Sequence, residues 1–122
     1  MQNRLSQFDV ANRVDVEDAD RVRDFVTSMF AARYPDIDLS PLMRAFGDIK
    51  ALFEGTFPGY LACDTLYHDL RHTLDISLAT ARLIECHDRV QDLSVQLGPR
   101  RAILGVIIAL LHDSVYIRRD SE

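Results

Sequence analysis

Asp64-Thr65-Leu66-Tyr67-His68-Asp69-Leu70-Arg71-His72-Thr73-Leu74-Asp75-Ile76-Ser77-Leu78-Ala79-Thr80-Ala81-Arg82-Leu83 is the stretch whose reading decides the fold. Leu66, Leu70, Leu74 and Leu78 recur at every fourth position, and Ile76, Ala79 and Leu83 widen the apolar face, so the period is helical. Asp64 or Thr65 serves as the N-cap, and the helix is expected to run to about His87. The same period sets His68 and His72 on one side, with β-carbons about 5–6 Å apart. Two imidazoles placed this way can point into one pocket, a pattern that suits a metal ion.

Working outward, the rest of the chain also reads as helix. Asp15 is expected to cap a first helix over 15–33, with Glu17 and Asp18 in the first turn, where the helix dipole favours negative charge. Ala19, Val22, Phe25, Val26, Met29 and Phe30 form its apolar stripe, and Pro35 marks its end. Ser40 as N-cap and Pro41 as the first helical residue open a second helix over 41–54, whose apolar positions are Leu42, Ala45, Phe46, Ile49, Leu52 and Phe53. Glu54-Gly55-Thr56-Phe57-Pro58-Gly59 turns the chain before the histidine motif. Gly98-Pro99 reads as part of a connection, followed by a last helix from Arg100 to about Tyr116. Residues 102–111 have almost no polar side, which predicts a segment buried all round. The expectation is an all-α fold of about four main helices.

The 122 residues are 48% hydrophobic and 27% charged, enough for one globular domain over 1–122, with 1–14 as an N-terminal extension. Two cysteines, Cys63 and Cys86, are too few for a disulfide framework and are expected to act as small apolar residues. No stretch has the apolar core of a signal peptide or the length of a membrane span, so a cytoplasmic location without membrane contact is expected. A net charge of −5 argues against general nucleic-acid binding, which needs a basic surface.

His112-Asp113 closes the most apolar segment, where an ionised carboxylate is costly unless its charge is compensated. A divalent cation would compensate it; otherwise Asp113 leaves the helix into solvent. His87-Asp88 repeats the dipeptide near the polar end of a helix and is expected to be a solvated surface pair. Asp75, three residues beyond His72, can orient an imidazole as an outer acceptor. Imidazole with carboxylate suits Zn, Mn, Fe, Co or Ni, and carboxylate with water suits Mg, so ligand type leaves the ion open. Arg71, Arg118 and Arg119 offer guanidinium forks to phosphate oxygens. Cys63 could instead join the histidines around zinc, although no second cysteine is suitably spaced. The plainer alternative for His68 and His72 is a half-buried imidazole hydrogen-bonded to a neighbour.

Tyr67-His68-Asp69-Leu70-Arg71-His72-Thr73-Leu74-Asp75-Ile76, followed by Ala109-Leu110-Leu111-His112-Asp113, resembles the HD-domain superfamily of metal-dependent phosphohydrolases, and is most similar to its cyclic-nucleotide phosphodiesterase pattern. The resemblance spans roughly residues 57–118. It implies a helical bundle, one or two divalent cations held by His72, His112 and Asp113, and His68 as proton donor to the leaving oxygen. Asp113 would bridge the ions where there are two. A phosphate ester or nucleotide-like molecule would be hydrolysed by metal-activated water. The chain departs from the pattern in reading Ser114-Val115 where family members often carry glycine two residues after the His-Asp pair. The family's fourth ligand, an aspartate on a later helix, lies tens of residues beyond that pair; this chain extends nine residues past Asp113, and Asp120 is too near to replace it. The resemblance therefore implies the N-terminal portion of such a domain, with weaker metal binding and self-association through uncovered apolar surface. A non-catalytic helical module that keeps the HD fold for recognition is the alternative from another functional class.

Overall fold

Aspartates at the ends of the apolar stripes determine where the first two helices begin. In the computed structural model, which describes residues 14–15, 18–54 and 70–112, four helices follow one another: α1 (Ala19–Arg33), α2 (Ser40–Glu54), α3 (Leu70–Val90) and α4 (Gly98–Leu111). No strand occurs among the described residues, and the fold is all-α. α1 is capped by Asp18, not by Asp15. The Asp18 carboxylate accepts from the N–H groups of Asp20 (3.0 Å) and Arg21 (3.3 Å), which have no carbonyl partner within the helix. Ser40 likewise lies inside α2 and does not cap it. Its N–H and hydroxyl both donate to the Asp38 carboxylate, and the Leu39 carbonyl accepts the Met43 N–H.

The core follows the expected stripes. Val22, Val26 and Phe30 of α1 meet Leu42, Phe46, Ile49 and Phe53 of α2, Leu74, Leu78 and Ala81 of α3, and Ala102, Val106 and Leu110 of α4. Burying a side chain of the Val, Leu, Ile or Phe type stabilises the fold by about 1.5–3 kcal/mol, so this cluster is the main force holding four short helices together. α1 packs on α2 and α3, and α4 packs on α2 and most extensively on α3, which places the helices around the core in the order α1, α2, α4, α3.

α3 and α4 form an antiparallel hairpin through residues 91–97. Gly98 has φ of 83°, a left-handed conformation that favours glycine, and Pro99 follows in the first turn of α4. The helix thus starts at Gly98, before the expected Arg100. Farther along the seam, a β-carbon on Gly105 would lie 2.8 Å from Ile84 Cδ1, so the missing side chain lets the helices approach closely.

The expectation that 102–111 is buried all round is corrected. Ala102, Val106, Ala109 and Leu110 face inward, but Leu104, Ile108 and Leu111 are 55%, 59% and 43% exposed. A helix with two main neighbours, α2 and α3, has only part of its circumference covered. For the same reason the wider apolar face expected of α3 is not fully used, and Leu83 is 73% exposed. Cys86, expected to pack as a small apolar residue, is also exposed. Among the described residues, no helix is long and apolar enough to cross a membrane.

Candidate metal centre

The antiparallel α3–α4 pairing brings the first turn of α3 beside the last residues of α4. His72 and His112, forty positions apart, meet there with ring centroids 6.2 Å apart and planes inclined by 52°. His112 stands at the C-cap of α4, where the last carbonyls lack helical partners. Its Nδ1 pairs with the Ala109 carbonyl. A carbonyl only accepts, so Nδ1 is the donor in this pair. Metal-ligating histidines are commonly anchored in this way through the nitrogen that does not bind the ion.

Two imidazoles bound to one ion through nitrogens at about 2.0–2.1 Å have ring centroids roughly 4.5–6 Å apart. The observed separation lies just above that range. Both residues are exposed. Among the described residues, Arg71 Nε and Thr73 Oγ1, beside His72 in the chain, are buried without a hydrogen-bond partner, as is Arg33 Nε near Asp88. Asp75 is partly buried one turn after His72. The two imidazoles therefore fit a divalent cation in type. Among the described residues, no third His, Cys, Asp or Glu completes a cluster with them. His68, Asp113, Arg118, Arg119 and Cys63 all lie outside the described residues.

No family model matches the chain, and neither does any curated protein or solved structure.

The other end of the hairpin overturns one expectation. His87-Asp88 is not a solvated surface pair. Asp88 is fully buried and accepts from the Tyr34 hydroxyl (2.5 Å), the Leu97 N–H (2.8 Å) and the Gly98 N–H (3.0 Å), with His87 Nδ1 2.9 Å away. One carboxylate ties the end of α1 to the start of α4, whose N-cap residue, Leu97, supplies no side-chain acceptor. Beside it, Glu85 pairs with Arg33 of α1 and Arg89 of α3, each at 3.3 Å. A sequence signal for this was present. Continuing the buried positions Leu74, Leu78 and Ala81 by steps of four and three reaches Glu85 and Asp88.

Burial alone would raise the Asp88 pKa, but the hydrogen bonds from Tyr34, His87, Leu97 and Gly98 outweigh it and hold the carboxyl at about 2, against an ordinary 3.8. Burial and the Asp88 carboxylate together push the Tyr34 hydroxyl well above its usual value. A depressed carboxyl pKa gives stability that is present above the unfolded value and lost as pH falls through the folded one. The urea midpoint should therefore drop between about pH 4 and pH 2, and Asp88→Asn should flatten the slope in that window. An unchanged slope in the variant would show that Asp88 is not the group responsible.

Proposed function

We propose that the chain is a metal-dependent phosphohydrolase domain acting on a phosphomonoester or phosphodiester. The observation that carries this reading is the convergence of His72 and His112 from separate helices, with His112 anchored through Nδ1. In this reading His72, His112 and Asp113 hold one divalent cation, or two with Asp113 shared. Asp75 orients an imidazole. Arg71, whose Nε is buried without a partner among the described residues, takes a phosphate oxygen together with Arg118 or Arg119. When bound, the cation neutralises charge on the phosphoryl oxygens and lowers the pKa of water. His68 gives its proton to the departing oxygen, which avoids release of a high-energy alkoxide.

The test is metal content after equilibration with Mn, Zn, Fe or Mg, combined with hydrolysis of an aryl phosphate monoester and diester. His72→Ala and His112→Ala should each lower metal affinity by about 10²-fold or more, as expected for loss of a coordinating ligand, which is a larger defect than loss of an outer partner. His87→Ala should leave it unchanged, because His87 lies at the opposite end of the hairpin beside Asp88. Equal losses in all three variants would remove the site assignment. The second reading, a non-catalytic helical recognition module, draws its support from the exposed apolar stripe of α4.

A further inference from the structure

At the end of the hairpin away from His72 and His112, a cleft of about 300 Å³ opens between three stretches of chain: the end of α1 with the turn after it, the α3–α4 connection, and the start of α4. That volume is at the low end for small-molecule sites. Asp88 fixes two of its walls, because the Tyr34 hydroxyl and the Gly98 N–H both donate to that carboxylate and both residues line the cleft. The shape is therefore held by the fold before any ligand arrives.

Most hydrogen-bond donors around the cleft are already engaged, whereas acceptors are free. The Tyr34 N–H goes to the Phe30 carbonyl (2.8 Å), the Gln96 N–H to the Asp92 carbonyl (3.1 Å), and Gln96 Nε2 to the Gln91 carbonyl (3.0 Å). Pro35 and Pro99 have no N–H to offer. A helix N-terminus usually favours anions, but at the start of α4 the Leu97 and Gly98 N–H groups are taken by Asp88. Among the described residues, the Asp36 carboxylate has no ion-pair or hydrogen-bond partner, and nothing donates to the Gln96 side-chain oxygen. Both residues line the cleft beside the C-terminal end of α1, where the helix dipole favours positive charge. Arg33 is the basic residue in the lining, but Glu85 matches its charge at 3.3 Å and its Nε is buried away from solvent.

We infer that this cleft binds a primary ammonium group carried on a short aliphatic chain, with the ammonium at Asp36 and Gln96 and the chain against Pro35, Leu93 and Pro99. An ammonium brings three donors and a positive charge to free acceptors, whereas a carboxylate or phosphate would bring further acceptors. Leu93 is 85% exposed and supplies apolar surface that the fold itself leaves uncovered. A free alkylamine and a lysine side chain of a partner protein present the same chemistry. The inference is independent of the metal reading, whose residues lie at the other end of the hairpin.

The experiment titrates the isotopically labelled full chain with hexylammonium, hexanol and hexanoate, and with a Gly-Lys-Gly peptide blocked at both ends, following backbone amide shifts by NMR. Hexylammonium should bind with a Kd of about 1 mM, shift the Asp36, Gln96 and Gly98 amides, and weaken as salt rises. Hexanoate should bind at least about tenfold more weakly, and Asp36→Asn should cost hexylammonium about tenfold in affinity. Leu93→Ser should weaken hexylammonium as well. Both positions are exposed, and an unchanged melting curve confirms that each variant folds. Tighter binding of the peptide than of hexylammonium assigns the ammonium to a partner protein, and the reverse assigns it to a free amine. Absence of shifts at those amides, equal binding of hexanol or hexanoate, or an Asp36→Asn variant that binds as tightly as the wild type overturns the inference.

Discussion

Asp88→Ala is expected to lower unfolding stability by about 3–5 kcal/mol, the range for removing one member of a buried charged network. The loss has a specific origin. Without the carboxylate, the Leu97 and Gly98 N–H groups and the Tyr34 hydroxyl lose their acceptor, and each unsatisfied buried donor costs about 1–3 kcal/mol before relaxation. Relaxation and entering water recover part of that sum. Tyr34→Phe is expected to cost less, about 1–2 kcal/mol, because Asp88 keeps its other donors. Domains of this kind are stable by about 5–15 kcal/mol, so Asp88→Ala would remove a large fraction of the total. Urea unfolding at neutral pH measures both variants, and an Asp88→Ala loss under about 1 kcal/mol would mean that the carboxylate is solvated in solution.

The largest kinetic effect is expected at His68. If it protonates the leaving oxygen, His68→Ala should reduce turnover by about 10²–10⁴ while metal content stays at the wild-type level. The defect should shrink for a nitrophenyl ester, whose leaving group departs without a proton. These two readouts separate an acid from a ligand. A variant that loses metal together with turnover would make His68 a ligand, and the division of roles between His68 and His72 would have to be reversed.

The stripes of α1 and α2 were legible because they depend on local spacing. Val22, Val26 and Phe30, and Leu42, Phe46, Ile49 and Phe53, are buried where a period of 3.6 places them. The caps were less legible. Asp15 and Asp18 have the same side chain, and the choice between them depends on which one reaches the free N–H groups of Asp20 and Arg21. The histidine site was legible in part: the spacing of His68 and His72 and the later His112-Asp113 suggested one pocket fed by two helices, and the hairpin register is what sets His72 beside His112. His87-Asp88 was misread because the same dipeptide suits a surface turn and a buried tie, and only Tyr34, Leu97 and Gly98 make burial of the carboxylate affordable.

The sequence by itself determined the helical class, the approximate extent of the helices and the faces that α1 and α2 bury, since each follows from the order of apolar residues along a single helix. Tertiary structure alone decided that Asp88 is a buried tie and which side of α4 stays uncovered, leaving Leu104, Ile108 and Leu111 exposed; it also sets His72 beside His112, a pair that the motif resemblance had already grouped. Each depends on which other elements lie within a few ångströms of a side chain, and spacing along one helix carries no information about what covers its far side.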